Sequence, residues 1–448
     1  MKLSTIIPSN IFPILLVNFI GILGYSIVIP ILIFIVTDMG GNGFIYGILG
    51  ATYPFFQFIG APILGSLSDR IGRKKVLVIS QAGTFVAWTL FLLAFILPKT
   101  ELWSQDSELT GSYMMTLPLI TIFIARIFDG FTGGNVSVAN AYLSDISTDQ
   151  DRNKNFGKMG ASTSLGFVLG PAVAGILAST FLGEVLPLLL AALISLIAIF
   201  VINTRLKESN PCVVDTVGLR NTSFRRFFQV EHKDCYTEGD IEANPEKKGW
   251  GVILRQPGIP LLFSVYFLTF LAFSLFYAGL PIYANTLLKW TAIDLGIFLA
   301  YSSFIMILVQ GPVLSRLSDK MPNQSLILIG SLFLTSSFLL LSMQDIIVLY
   351  IANTLLSIGN GLMWPSFLAL LAGTGSPQMQ GAIQGYGNST GSFASMLGLI
   401  LGGLLFENIG TMVFFVGGII FLIITILMTI NFLQRRKRKN VPAEPVPV

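Results

Sequence analysis

The sequence predicts an all-α polytopic membrane protein, with twelve transmembrane helices in two pseudo-symmetric six-helix halves. Three observations predict it. Of 448 residues, 53% are hydrophobic and only 11% charged, with a mean hydropathy of +0.76. No soluble domain hides that much apolar surface. About twelve apolar segments are long enough to span a bilayer. Finally, the chain repeats one of its own loops: Ala61-Pro-Ile-Leu-Gly-Ser-Leu-Ser-Asp-Arg70 returns as Gly311-Pro-Val-Leu-Ser-Arg-Leu-Ser-Asp-Lys320, 250 positions later. A loop repeated half a length away marks a chain built from two like halves.

The segments follow in order. The first six lie near 11–36, 45–67, 76–98, 115–143, 157–181 and 185–203. The second six lie near 259–286, 294–315, 324–343, 346–372, 382–406 and 411–433. Glycine and proline interrupt many of them, which membrane helices tolerate. The domains are therefore 1–203, a linker at 204–258, 259–434, and a basic tail at 435–448. The linker carries a basic aromatic patch, Phe224-Arg-Arg-Phe-Phe228, and reads as a plain connector or as a regulatory segment. Cys212, Cys235 and His232 all fall in it, without metal-ligand spacing. The run Arg435 to Lys439 suits anionic lipid rather than nucleic acid. With both termini cytoplasmic, only Lys99 and Lys289 of the 27 basic residues fall outside, and only Arg126 mid-membrane. The reverse orientation would export most of the positive charge, so it is rejected.

The first copy of the repeat continues into Gly65-Ser-Leu-Ser-Asp69-Arg70-Ile-Gly72-Arg73-Lys74-Lys75, a charge cluster between two apolar runs. Gly65 permits close helix approach and Gly72 a sharp reversal. Asp69 can cap the next helix or pair with an arginine. This stretch resembles the signature loop after the second helix of the major facilitator superfamily, and every fixed position of that pattern is met. The second copy, ending at Asp319, is degenerate: Met321-Pro322-Asn323 replaces the Gly-Arg-Lys portion. Asp69, Arg70 and Arg73 are expected to latch the cytoplasmic ends of the two halves when the cavity faces outward.

Arg126 and Asp129 stand in the fourth segment, inside the bilayer core. Each costs roughly 2.5–3.5 kcal/mol there unless compensated. Spaced three apart, they share a helix face and can pair. Intramembrane ionisable groups mark pathways for ions or substrates. The run from Arg126 to Asn135 resembles the helix-4 motif of drug:proton antiporters of this superfamily, nearest the tetracycline-exporter-like group. The resemblance implies that Arg126 serves proton coupling. Asp129 is either the proton carrier, since burial disfavours its charge and Arg126 favours it, or only the counter-ion of Arg126. The fifth segment, with Gly166, Gly170-Pro171 and Gly175, resembles the glycine-rich antiporter motif, with Ala174 in place of one glycine. It predicts close packing on the eighth helix. Many such antiporters carry a carboxylate in helix 1, where this chain offers Asn18. Asn18, Tyr25, Tyr53, Gln57, Tyr277, Tyr301, Asn353, Trp364 and Asn388 are polar or aromatic residues that either face a substrate cavity or pack helices.

The expected function is proton-coupled efflux of small, largely apolar compounds such as drugs or metabolites, by alternating access. One alternative is a proton symporter or uniporter for a nutrient or organic anion. Another is a non-transporting receptor or sensor on the same scaffold. No nucleophile–base set, metal cluster or phosphate loop is legible, so the reading is a non-enzyme without cofactor or metal, driven by the proton gradient. Its partners are the small solute, protons and the lipid bilayer, with no nucleic acid, and it works as a monomer in the plasma (bacterial inner) membrane.

Overall fold

The computed structural model describes residues 11–133, 135–148, 151–209, 254–372, 374 and 380–439. The first half comprises α1 (Phe12–Val28), α2 (Leu32–Asp38), α3 (Gly43–Ile71), α4 (Arg73–Ala94), the strands β1 (Glu101–Gln105) and β2 (Tyr113–Thr116), α5 (Leu117–Thr132), α6 (Asn135–Asp145), α7 (Arg152–Ala178) and α8 (Val185–Arg205). The second half comprises α9 (Ile259–Thr286), α10 (Ala292–Leu308), a π-turn (Val309–Val313), α11 (Leu314–Ser318), α12 (Asn323–Leu341), α13 (Ile346–Ala372), α14 (Gln380–Ile409) and α15 (Met412–Lys439). Among the described residues eleven spans are long and apolar enough to cross a bilayer, and α1 with α2, bent by 41°, makes the twelfth. The bend falls at Ile29-Pro30-Ile31, where proline withholds the amide of the next turn. Pro312 sits in the π-turn of the eighth span, in the same way.

Local chemistry sets the other boundaries. Gly72 alone separates α3 from α4 at φ +102°, a conformation open to glycine. Asn42 caps α3 by accepting the Ile45 amide at 3.1 Å. Thr291 and Asp294 form a capping box at the start of α10.

The two halves repeat one packing scheme. In the first, α1 lies on α7 and α8, and α4 lies on α5 and α8. In the second, α9 lies on α14 and α15, and α12 lies on α13 and α15. The halves meet through α3 against α14 and α7 against α10, which the same symmetry exchanges. Both interfaces turn on glycine pairs. A β-carbon on Gly47 would stand 3.1 Å from the Cα of Gly403, and one on Gly175 would stand 2.6 Å from the Cα of Gly296. Only bare backbones approach this closely.

The bundle has two distinguishable ends. One carries the Gly72 turn and is called here the loop end. The other carries the antiparallel β1–β2 hairpin and is called the sheet end. The halves are closed on each other at the sheet end. Glu407 Oε1 accepts the Gly43 amide at 2.9 Å, Tyr46 donates to the Tyr277 carbonyl at 2.9 Å, Asn285 donates to Thr37 at 3.0 Å, and Asn408 donates to the Leu109 carbonyl at 3.1 Å.

Several boundaries differ from expectation. The loop expected between segments 3 and 4 contains a hairpin, because Trp103, Tyr113 and Met115 suit strands and pair across it. The eleventh span runs past 406 to Ile409, which brings Glu407 onto a helix. The basic run from Arg435 to Lys439 continues α15 rather than beginning a tail. Residues 204–209 belong to the first half: Leu206 is buried and Glu208 docks on α4. Residues 210–253, with the aromatic patch, both cysteines and the histidine, lie outside the described residues, as do 440–448.

Candidate functional site

The site grows from one face of α5. Leu119, Ile122, Ala125, Arg126 and Asp129 recur at helical spacing, and all are buried. Periodicity thus carries two charges inward with the apolar residues. Arg126 is 2% exposed and Asp129 3%. Arg126 Nη1 and Asp129 Oδ2 stand 3.8 Å apart, an ion pair too long for a hydrogen bond. Among the described residues neither of those atoms, nor Arg126 Nε, has a hydrogen-bond partner. The guanidinium is held by aromatic faces, 5.5 Å from the centroid of Phe91 and 6.0 Å from that of Tyr53. Thr84 lies within hydrogen-bonding reach of the Asp129 carboxylate.

Glycines on α5 bring α3 to this pair. A β-carbon on Gly130 would stand 2.5 Å from the Tyr53 carbonyl oxygen, and one on Gly133 2.5 Å from the Tyr53 hydroxyl. Tyr53 packs on Tyr25 with centroids 4.4 Å apart. Gln57 donates to the Tyr53 hydroxyl at 3.3 Å and to the Gly133 carbonyl at 3.0 Å. The structure therefore joins Tyr25, Tyr53, Gln57, Arg126 and Asp129 in one cluster. A cavity of about 50 Å³ opens beside Asp129, lined also by Asn18, Gln81 and Thr84. Asn18 donates to Thr163 at 2.8 Å, tying α1 to α7.

The second half contributes a separate aromatic cluster. Trp364 lies 5.4 Å from Tyr266 and 5.4 Å from Phe270, edge to face. Asn388 accepts from the Tyr266 hydroxyl at 3.1 Å. Tyr277 is 38% exposed, with Phe273 beside it at 6.4 Å. Two of the residues that either face a cavity or pack helices do not join these clusters. Asn353 is 1% exposed; it receives the Ser302 hydroxyl and donates to the Phe298 carbonyl at 3.1 Å. Tyr301 bonds Thr354 at 2.8 Å in a shallow surface groove lined by Tyr350 and Ile347. Both fasten α10 to α13.

The helix-5 glycines divide between two neighbours. Gly175 meets Gly296 of the eighth span, as expected. Gly166 and Gly170 instead pack on α1, where their β-carbons would stand 2.9 Å from Ile22 and 2.7 Å from Ser26. Pro171 lies inside α7 between the two contacts.

At the loop end, Arg73 serves its own half in this conformation. Its Nε pairs with Asp145 Oδ2 at 3.2 Å, and its Nη1 donates to Ser68 at 2.5 Å. Glu208 accepts the amides of Arg73 at 2.8 Å and Lys74 at 3.2 Å, capping α4. A β-carbon on Gly65 would meet Ser137 of α6 at 3.6 Å, an ordinary contact. Arg70 and Asp319 are exposed, and the side chain of Asp69 lies outside the described part. Glu208 and Glu407 were both missed in the sequence, although each is a lone acid at the end of an apolar run.

The sequence model of the Major Facilitator Superfamily matches residues 14–343 and 311–447. The chain is 24% identical over 431 residues to the class B tetracycline resistance protein of Escherichia coli, covering 94% of each. It is 25% identical over 416 residues to multidrug resistance protein 2 of Bacillus subtilis (strain 168), covering 91% of each. Among solved structures it is similar to the human organic anion transporter MFSD10 (TETRAN), with TM-score 0.65, 19% identity, and coverage of 96% of this chain and 100% of that one. It is likewise similar to the xylose transporter XylE from E. coli, with TM-score 0.65, 14% identity, and coverage of 98% and 100%.

Proposed function

Because the chain belongs to the major facilitator superfamily and is an integral, multi-pass transporter of that fold, we propose that it exports small, largely apolar compounds in exchange for protons. The observation that carries the reading is the Arg126–Asp129 pair, buried in the first half with polar atoms unpartnered. A permanently engaged structural pair gains nothing from such a loose fit. A pair whose partners must separate and rejoin does, because one conformation then favours the carboxylate and another its protonated form. The aromatic clusters around Tyr25 and Trp364 offer apolar faces with few hydrogen bonds, which suits drug-like solutes more than sugars. The names of the tetracycline and multidrug resistance relatives support efflux.

In this reading the basic loop end faces the cytoplasm of a bacterial cell and the sheet end faces outward. The conformation described is then closed to the outside. Transport of a panel of tetracyclines and dye-like cations into everted vesicles, with and without a proton gradient, tests the proposal. Gradient-driven accumulation is expected. It should vanish in Asp129→Asn, while downhill exchange persists. Accumulation in right-side-out vesicles instead would make the protein a symporter.

A further inference from the structure

The cavity beside Asp129 lies wholly within the first half. Among the described residues its walls come from α1, α3, α4, α5, α6 and α8, all of the first half. Its walls are mixed: apolar side chains such as Ile20, Leu77 and Ile194 alternate with Asn18, Gln81, Thr84, Asn135, Ser195 and Asp129. Two wall groups have unsatisfied polar atoms, Asp129 Oδ2 and Trp88 Nε1, on side chains that are 3% and 1% exposed. A volume of about 50 Å³ accommodates about three waters, and the polar groups among its walls offer them hydrogen-bond partners.

The cavity also has a direction. Leu77 and Gln81 line it one and two turns beyond Arg73, which lies at the loop end. Val136 and Ala139 line it on α6, whose last residue, Asp145, pairs with Arg73. From Asp129 the space therefore runs toward the loop end, behind α1. The halves meet chiefly through α3 with α14 and α7 with α10, and of the cavity's walls α3 and α6 also touch α14.

We propose that this cavity is a hydrated proton path inside the first half, joining Asp129 to the loop end behind α1, with Tyr25 and Tyr53 as the wall between it and the solute. The proposal rests on the reading of Asp129 as the proton carrier. In the release step the Asp129 O–H bond breaks, and its proton forms a new bond to a water of the cavity. The carboxylate is left paired with Arg126, and the hydronium charge passes from water to water toward the loop end. Reloading reverses these bonds from the other side after the halves rock. The groups facing Asp129 are Arg126 on its own helix, Tyr25 from α1 and Tyr53 from α3. The walls from α4, α6 and α8 bring polar but uncharged side chains.

α8 packs on α1, α4 and α7, so Ser195 reaches the cavity from the side away from the solute. Ser195→Leu fills the space, and Leu196→Phe, on the exposed face of the same helix, adds bulk outside it. Reconstituted full-length protein is followed by time-resolved infrared spectroscopy of protonated carboxyl groups after a pH jump applied to the loop-end side. Asp129→Asn identifies the Asp129 band. That band should respond at least about tenfold more slowly in Ser195→Leu than in wild type, because a proton then crosses dry protein. It should be unchanged in Leu196→Phe. Gly21→Leu, from the opposite wall, repeats the filling should Ser195→Leu fail to insert. Wild-type kinetics in the filled variant overturn the path while leaving Asp129 as carrier. The absence of any band removed by Asp129→Asn overturns the carrier reading itself, and the path with it.

Discussion

Asn353 and Arg126 are both buried polar residues of membrane helices, yet they do opposite work. Asn353 has its amide satisfied by Ser302 and Phe298 across the α10–α13 contact. Asn353→Leu removes the acceptor of that buried hydroxyl, which costs about 1–3 kcal/mol of stability. Chemical unfolding in detergent should register this loss, with solute affinity unchanged. Lost affinity at unchanged stability would return Asn353 to the cavity. Arg126 is held by two ring faces and one long ion pair. Arg126→Lys keeps the charge but loses the planar stacking. It should slow gradient-driven transport by about tenfold or more while binding persists, since a desolvated cation–π contact is worth about 2 kcal/mol. Arg126 and Asp129 were legible in the sequence because a charge in an apolar run has few explanations. Asn353 and Tyr301 stayed open between cavity lining and helix packing because polarity along a helix does not reveal which way the helix is turned. That rotation is set by packing between distant segments.

At the scale of the element, α7 shows one motif divided between two tasks. Gly166 and Gly170 let α1 lie against α7 within the first half, whereas Gly175 lets α10 approach from the second. Substitutions should therefore separate. Gly170→Leu drives a side chain into Ser26 and costs about 1–3 kcal/mol or more, so the folded yield in membranes should fall. Gly175→Ala leaves the half intact and displaces Gly296, so the protein should insert normally but populate the state open at the sheet end. Accessibility of single cysteines near Thr37 to a membrane-impermeant thiol reagent measures that population. Equal accessibility in Gly175→Ala and wild type would show that the glycine pair does not set the balance. The spans were legible to within a few residues, since hydropathy tracks the bilayer. The hairpin β1–β2 was not, because a short polar connection between two spans reads as a plain loop. Glu208 and Glu407 escaped notice for a related reason: at helix ends hydropathy fades, and only tertiary structure shows whose amides a carboxylate meets.

At the scale of the whole molecule, the duplicated scheme places matched glycine pairs on the two interfaces, and the hairpin adds a contact that the symmetry does not repeat. Asn408 reaches the hairpin at Leu109, while Glu407 beside it caps α3 at Gly43. Both bridges must part before the sheet end can open. Spin labels at Leu102 and Met412, exposed on the two halves at that end, should therefore move apart in Glu407→Ala. An unchanged distance distribution would mean that the glycine pairs alone hold the closure. The hydrogen bonds that join the halves at the sheet end also carry a consequence for temperature. At about 0.5–1.5 kcal/mol each, their rupture is a cost met once per cycle and recovered when the end closes again. Cooling slows such a step more than it slows diffusion of solute to its site. Turnover should accordingly fall steeply in the cold, and Asn408→Ala should flatten the Arrhenius slope, so that a variant slightly less well closed at warm temperatures outpaces the wild type near freezing.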